Sequence, residues 1–293
     1  MALPGGGPAN VAVGLARLGI GASFAGRFAT EGFGPWLREY LAENGVDLSP
    51  SVRAREPATL AVVTLDGAGR ASYSFYGPGT ADWQWSASEL PSPTGAFAAV
   101  HTGSLATTFE PGATVLEGWL AQLRGSGEVV VSFDPNVRPA LIEDLHAYRS
   151  RLERLAHCAH IVKASEEDIE VAYPGEGTAA VAERWLRAGA CLVAVTQGEL
   201  GATVFHAGGA RAQCRPPQVQ VTDTIGAGDA FSSALLAYLA RAEVLSPASL
   251  RCLDEADLNG ALAQAVAASA LCCTRPGADP PTSAELARFC SGG

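Results

Sequence analysis

The sequence predicts an α/β fold whose central sheet is mostly parallel and is covered by helices on both faces. From residue 100 onward, short apolar runs alternate with segments that have helical apolar spacing. The apolar runs lie at residues 100–103, 129–133, 160–163 and 191–196. Buried apolar strands that are joined by helices indicate a parallel sheet with two covered faces. In such a sheet, ligands bind at the carboxyl ends of the strands.

Before this alternation, the sequence predicts two helices with a short strand between them. The first helix begins near Pro8, and Gly19 lies past its end. Residues 22–28 form the short strand, and residues 33–44 form an amphipathic helix that ends at Gly45. The N-terminal glycines lead directly into the first helix, so the backbone there can approach a ligand closely.

A β-hairpin follows the second helix. Residues 59–65 and 71–76 alternate and are rich in β-branched and aromatic side chains, and residues 66–69 read Asp-Gly-Ala-Gly. This combination predicts two antiparallel strands that are joined by a tight turn.

Composition excludes several classes of protein. The chain has 293 residues, 48% of them hydrophobic, and a formal net charge of −10. Its single lysine, Lys163, leaves no basic patch for a nucleic acid or an acidic membrane. No apolar run is long enough to span a bilayer, and no signal peptide precedes the first helix. Seven scattered cysteines without zinc spacing predict reduced thiols in a cytoplasmic protein.

Residues 223–231, Asp-Thr-Ile-Gly-Ala-Gly-Asp-Ala-Phe, follow a predicted strand and begin a predicted helix. The amides of Gly226, Ala227 and Gly228 are expected to be unpaired at the helix start, where the helix dipole also favours an anion. The carboxylate of Asp229 would repel an anion bound there. The conflict is resolved if Asp229 acts on the nucleophile instead, accepting a proton from a hydroxyl while the amides hold the charge of a migrating phosphoryl group. A glycine-rich helix start with an acid in its first turn is the simpler alternative, but nine residues are more specific than an isolated Gly-x-Gly-Asp.

The same nine residues resemble the C-terminal signature of the ribokinase-like (PfkB) carbohydrate kinases. Residues 5–12, Gly-Gly-Gly-Pro-Ala-Asn-Val-Ala, resemble the N-terminal signature of that family. Three further stretches resemble its fructokinase and 2-keto-3-deoxygluconate kinase branch: residues 134–139, 162–168 and 195–201. The matching stretches have the family's order and span nearly the whole chain.

This resemblance implies one ribokinase-like kinase domain over residues 1–293, with a small β lid formed by residues 22–28 and 59–76. Lids of this family often pair, which leaves a homodimer through the lid open, although the sequence itself does not indicate the oligomeric state. Family members carry a further strand and a sugar-binding Asp before the glycine signature, where this sequence has only Met1 to Pro4. Two alternatives stay open: the start of this sequence is shortened, or this strand and this contact are truly missing.

The resemblance also implies residue roles. Asp229 becomes the catalytic base, and the amides of Gly226, Ala227 and Gly228 hold the migrating phosphoryl group. The implied substrate-binding residues are Gly5, Gly6, Asn10, Asn136 and Arg138. Two simpler roles stay open, because Asn10 fits a helix start and Arg138 fits a surface ion pair with Glu143 or Asp144.

The implied nucleotide-binding residues are Lys163, Thr196, Gly198, Gly201, Asp223 and Thr224. By the same resemblance, Asp168 contacts Mg²⁺ indirectly, with Ser165 in place of the family's Asn. The competing interpretation is that Ser165 and Asp168 form a capping box at a helix start. Ile225 stands where many relatives carry Thr, which leaves activation by a monovalent cation open.

The function that these patterns predict is ATP-dependent phosphorylation of a primary hydroxyl on a small sugar, with Mg²⁺ and with fructose as the first candidate. Lys163 is followed by Ala164, so the chain has no P-loop. The alternatives are a kinase of 2-keto-3-deoxygluconate or another sugar acid, a nucleoside kinase, and a non-catalytic sensor of sugar or nucleotide.

Overall fold

The computed structural model describes residues 2–65, 71–92 and 97–291. The strands are β1 (Arg27–Ala29), β2 (Val52–Ala54), β3 (Leu60–Leu65), β4 (Ala71–Tyr76), β5 (Ala99–Gly103), β6 (Val130–Asp134), β7 (Ile161–Ser165), β8 (Leu192–Thr196), β9 (Ala202–His206) and β10 (Arg211–Cys214). The α-helices are α1 (Gly7–Arg17), α2 (Phe33–Glu43), α3 (Gly112–Ser126), α4 (Leu145–Cys158), α5 (Glu166–Ala172), α6 (Thr178–Ala188), α7 (Ala227–Arg241), α8 (Glu255–Cys272) and α9 (Ser283–Ser291).

A six-stranded sheet forms the centre of the fold, in the order β10-β9-β8-β7-β6-β5. Strands β5 to β8 are parallel to one another, and β9 and β10 are antiparallel to their neighbours. The predicted mostly parallel sheet is therefore confirmed. The carboxyl ends of four parallel strands meet at one edge of this sheet, where the predicted site residues Asn136 and Thr196 lie.

Helices cover both faces of the sheet, as predicted. On one face, α3, α4 and α6 contribute the buried side chains of Leu120, Leu152 and Trp185. On the other face, α1, α7 and α8 contribute buried residues that include Val11, Leu235 and Leu262. Neighbouring residues on each strand alternate between the two cores because strand side chains have a period of two. No described helix combines the length and the hydropathy needed to cross a bilayer.

The predicted strand at residues 22–28 is shorter in the structure, where β1 spans Arg27–Ala29. The segment before it is extended, and the Phe24 amide donates to the Asp47 carbonyl at 2.8 Å. The ladder is interrupted at Gly26, whose amide donates to the Ser51 hydroxyl at 3.4 Å. Strand β1 pairs with β2, so it does not belong to the hairpin sheet.

Strands β3 and β4 pair antiparallel within one residue of the bounds predicted for the hairpin. The predicted turn at residues 66–69 lies outside the described residues. Exposed apolar side chains on these strands include Leu60, Val62 and Tyr76, with exposed fractions of 41%, 42% and 62%. The role of this hairpin as a lid stays a prediction.

A cavity of about 780 Å³ lies beside the outer edge of β5. Within the described part of the chain, β5 is bonded to a neighbouring strand on one side only. Residues 22–28 line the opposite wall of the cavity, and residues 4–12 also contribute to its lining. Three residues of β5 are only partly buried, whereas all five of β6 are buried. The strand that borders the site is therefore open along one edge.

Candidate active site

The N-terminal glycine segment and the start of α7 meet at the carboxyl edge of the sheet. The Asn10 side chain donates through Nδ2 to Oδ2 of Asp229 at 2.8 Å, although 219 residues separate them in sequence. Both side chains are buried, each with 8% of its surface exposed. Helices α1 and α7 pack against one another, which holds the two sequence signatures together. The two segments that resemble the family signatures are therefore joined by a direct contact, which the sequence analysis did not predict.

Gly7 brings the backbone of the first signature close to two further polar groups. A Cβ atom at this position would lie 3.3 Å from Oδ1 of Asp229 and 3.5 Å from Nδ2 of Asn136. Any side chain at residue 7 would therefore crowd the carboxylate. Asn136 has a φ of 40°, which turns the chain sharply just after β6.

Gly5 and Gly6 precede α1 and line the same cavity. Gly6 has a φ of 122°, a backbone conformation that favours glycine, and its carbonyl accepts the Asn10 amide at 2.8 Å. The first helical turn is thereby closed by Gly6. Asn10 lies inside this turn, so the simpler role as a capping residue does not describe it.

The start of α7 leaves amides available to an anion. Gly226 is the N-cap with a φ of 78°. The Ala227 amide donates to the Thr224 carbonyl at 3.2 Å. Among the described residues, the amides of Gly226 and Gly228 have no backbone acceptor. Two of the three predicted amides are therefore unpaired at this helix N-terminus.

The glycines at the start of α7 are required by the protein itself. A Cβ on Gly226 would lie 2.7 Å from Cα of Ala278, and a Cβ on Gly228 would lie 2.7 Å from Nζ of Lys163. Residue 226 therefore has no room for a side chain, because the neighbouring atom belongs to the backbone. At residue 228, a side chain would require the end of the Lys163 side chain to shift. Neighbouring groups of the same chain thus lie in the space beside both glycines.

A buried ion pair lies directly behind this turn. Nζ of Lys163 on β7 is 3.0 Å from Oδ2 of Asp134 at the end of β6, and 5% and 4% of the two residues are exposed. Burial alone would lower the pKa of Lys163, but its attraction to the surrounding carboxylates raises it. The lysine is therefore held as an ammonium.

The pKa of Asp229 is raised above its usual value because burial disfavours the charged form. The hydrogen bond from Asn10 and the charges of Lys163 and Arg138 act in the opposite direction. A carboxylate with a raised pKa is a stronger proton acceptor than an ordinary Asp, provided that it stays ionised at the working pH.

Arg138 lies in the loop after β6 and is partly buried. Its guanidinium donates to the carbonyls of Asn136 and Val137, at 3.2 and 3.0 Å. Its charge lowers the pKa of Asp229. Among the described ion pairs, none joins Arg138 to Glu143 or Asp144.

Asp168 forms the capping box that the sequence offered as its alternative role. Its Oδ2 accepts the Ser165 amide at 2.8 Å, and the Ser165 hydroxyl accepts the Asp168 amide at 3.0 Å. Its Oδ1 accepts the Val137 amide at 2.7 Å. Among the described residues, no group of three His, Cys, Asp or Glu side chains is arranged to hold a metal ion. The indirect contact of Asp168 to Mg²⁺ therefore stays a prediction.

The predicted nucleotide loop after β8 is a tight turn. Thr196 ends the strand, and the Gln197 amide donates to the Gly201 carbonyl at 2.8 Å. Gly198 and Gly201 have φ values of 55° and 95°, which favour glycine. Thr196 and Gly198 are not buried, so this turn is open to a ligand.

Asp223 holds the loop that leads to α7. Its Oδ1 accepts the Ile225 amide at 3.0 Å, and its Oδ2 accepts the Gly277 amide at 2.8 Å. Thr224 is exposed. The carboxylate is therefore used to fix the loop geometry, whereas the Thr224 hydroxyl stands at the surface of the predicted nucleotide side.

Ser104 is a site residue that the sequence analysis missed. It follows β5 with a φ of 54°, and its Cβ lies 3.8 Å from the position of a Cβ on Gly7. Ser104 also lines the cavity that contains Asn10. Its position at the carboxyl end of a parallel strand was the available signal, since such ends collect functional residues.

Comparisons with known proteins agree with this arrangement. The model of the pfkB family carbohydrate kinases matches residues 2–285. A fructokinase from Rhizobium leguminosarum bv. trifolii is 35% identical over 251 residues, which cover 86% of this chain and 76% of that protein.

Two solved structures have the same fold over nearly the whole chain. A fructokinase with bound ATP from Xylella fastidiosa has a TM-score of 0.90 and 31% identity, covering 98% of this chain and 90% of that chain. A fructokinase from Vibrio cholerae O395 in fructose, ADP and calcium ion bound form has a TM-score of 0.83 and 27% identity, covering 99% and 92%. The molecule is thus a ribokinase-like α/β protein. The chain belongs to the PfkB family of carbohydrate kinases, as its sequence signatures predicted.

Proposed function

We propose that this protein transfers the γ-phosphoryl group of ATP to a primary hydroxyl of fructose. The hydrogen bond between Asn10 and Asp229 carries the proposal, because it brings the two glycine signatures within reach of one small ligand. The ATP-bound and the fructose- and ADP-bound fructokinases described above support this choice of sugar and nucleotide. Nothing comparable favours a sugar acid as the substrate.

In this mechanism, Asp229 accepts the proton of the attacking hydroxyl. The amides at residues 226–228 stabilise charge on the phosphoryl group, with Gly226 and Gly228 the better placed donors. Asn10 has a second N–H and a carbonyl oxygen for sugar hydroxyls. Gly5, Gly6, Asn136 and Arg138 complete the proposed sugar subsite at the carboxyl edge of the sheet.

The nucleotide is proposed to lie across the turn at Thr196, Gly198 and Gly201 and the loop at Asp223 and Thr224. Both segments lie at the same edge as α7. Gly198 and Thr224 are exposed, whereas Gly201 is buried and would act through the shape of the turn. Mg²⁺ bound to the nucleotide would neutralise phosphate charge. Asp168, whose two carboxylate oxygens each accept one backbone amide, would contact this ion indirectly through water.

Three further predictions belong to this function. Monovalent-cation activation stays open because Ile225 replaces the Thr of many relatives, and titration with potassium measures it directly. A homodimer through the hairpin is supported by the exposed Leu60, Val62 and Tyr76. Sedimentation of wild type and Val62→Lys would test the dimer. Fluorescence microscopy of a tagged chain would test the predicted cytoplasmic location.

A sugar panel with detection of ADP release tests the proposed reaction. Fructose should have the highest kcat/KM, with 2-keto-3-deoxygluconate, ribose and nucleosides as competitors in the panel. Preferred turnover of 2-keto-3-deoxygluconate would assign the enzyme to the sugar-acid kinases. Calorimetric binding of ATP without turnover of any sugar would instead identify a sensor.

A further inference from the structure

The only lysine of this chain is buried behind the first turn of α7. Lys163 has 5% of its surface exposed, and its Nζ would lie 2.7 Å from a Cβ on Gly228. The N-terminus of a helix carries partial positive charge, so an ammonium at this place is unfavourable by itself. Its position therefore requires anionic partners nearby.

Three carboxylates supply this negative charge. Asp134 pairs directly with Lys163 at 3.0 Å, and Asp168 and Asp229 also attract its ammonium. All three carboxylates are buried, with exposed fractions between 4% and 8%. The Lys163 ammonium thus interacts electrostatically with three carboxylates. Only Asp134 among them makes a direct ion pair with it.

We propose that Lys163 is a positioning residue for phosphoryl transfer, whose ammonium is held by Asp134, keeps Asp229 ionised and supports the first turn of α7 without binding the nucleotide itself. This inference rests on the proposed function, in which Asp229 accepts a proton. It also explains Gly228, since the ammonium occupies the space where a side chain would lie. The sequence-based role of Lys163 in direct nucleotide binding is replaced by an action through Asp229.

The charges around Asp229 come from several elements. Asn10 on α1 donates to it, Lys163 on β7 and Arg138 after β6 attract it, and Asp134 and Asp168 share the same ammonium. Loss of Lys163 would leave Arg138 as the remaining cation that lowers the pKa of Asp229. Protonation of Asp229 should then persist to higher pH.

The test removes the Lys163 ammonium in a background where its partner is already neutral. Asp134→Asn and the double variant Lys163→Met/Asp134→Asn differ only at residue 163, and the double variant leaves no unpaired ion from the broken pair. Carboxyl carbon NMR reads the pKa of Asp229 in both proteins without turnover. We expect it to be higher by about one unit in the double variant, since an opposite charge within a few ångströms lowers an Asp pKa by about 1–3 units.

Kinetics supply the second readout. The acidic limb of the plot of kcat/KM against pH should move to higher pH by the same amount as the pKa of Asp229. At a given pH on that limb, kcat/KM should therefore fall about tenfold. The KM for ATP should change less than about twofold, because removal of a direct phosphate contact would raise it far more. Arg187→Met is the matched control, since this cation is exposed on α6 and its removal should move neither quantity.

An unchanged pKa of Asp229 in the double variant would overturn the inference. A large rise in the KM for ATP with an unmoved acidic limb would also overturn it, and would restore Lys163 as a nucleotide ligand. A wild-type protein that phosphorylates no sugar refutes the proposed function alone, because the NMR comparison still decides what Lys163 does to Asp229.

Discussion

Asp229→Asn should separate the contribution of this residue to rate from its contribution to stability. The substitution keeps the shape of the side chain, and the Asn oxygen can still accept the hydrogen bond from Asn10. The proton acceptor, however, is lost. General-base catalysis contributes about 100-fold to 10,000-fold, which corresponds to an activation barrier higher by about 2.7 to 5.5 kcal/mol. We expect kcat to fall by that factor while the KM values stay nearly constant.

The stability of the same variant should not fall. Burial raises the pKa of Asp229 in the folded state, so the folded protein binds this proton more tightly than the unfolded chain does. The stabilisation from that proton is present below the unfolded pKa and is lost as pH rises through the folded pKa. At neutral pH the ionised carboxylate therefore destabilises the fold, and a neutral Asn removes this penalty.

Steady-state kinetics and thermal unfolding of the same preparations measure both effects. Wild type and Glu183→Gln are the references, because Glu183 is an exposed acid on α6. The reasoning predicts a large loss of rate together with an unchanged or higher Tm. Full turnover by the variant would refute the base assignment. Loss of rate with a clearly lower Tm would instead show that residue 229 acts mainly through the fold.

Three other predictions concern separate parts of the molecule. Asn10→Ala removes a hydrogen-bond donor to a buried carboxylate. Because hydrogen bonds to charged groups contribute about 1.5–3 kcal/mol, kcat/KM for fructose should fall about 10-fold to 150-fold. Asn10→Asp has no amide donor and should not restore kcat/KM. Hydrogen exchange should be faster at Ala99 and His101, on the open edge of β5, than at Val131 in β6; equal protection would contradict an open edge. Hydrogen bonds from Thr282 and Arg275 lower the pKa of Glu285 to about 2. The contribution of Glu285 to the stability of the fold should therefore be lost as the pH falls from its pKa in the unfolded chain towards 2. A profile of Tm against pH for Glu285→Gln should lack this loss.

The layer structure could be predicted because its signal is local. Apolar runs such as residues 129–133 and 191–196 are buried strands in the structure, and the helices between them follow from spacing that a single segment carries. The start of α7 was predictable for the same reason, since the glycines and Asp229 are adjacent in sequence. Helix α4 begins at Leu145, because the Asp144 side chain caps it by accepting the amides of His146 and Ala147.

Interactions between distant segments could not be predicted from the residues. The need for Gly226 depends on Ala278, and the need for Gly228 depends on Lys163. Neither partner is near in sequence, so the glycines suggested room for a ligand. The short β1 has a similar origin, because its ladder ends where the Ser51 side chain takes the Gly26 amide. These errors share one cause, since each outcome is decided by a contact that periodicity does not report.

Net charge, like periodicity, does not report which groups of distant segments contact one another. A net charge of −10 suggests a surface that repels a polyanionic nucleotide, and the sequence offered only Arg138 and Lys163 as local compensation. In the structure, the acids nearest the reacting groups are buried and share the Lys163 ammonium, while Asp168 and Asp223 are committed to backbone amides. The negative charge at this edge is thus largely neutralised or hydrogen-bonded locally. The start of α7 itself presents unpaired amides, so net charge is a poor guide to what this site can bind.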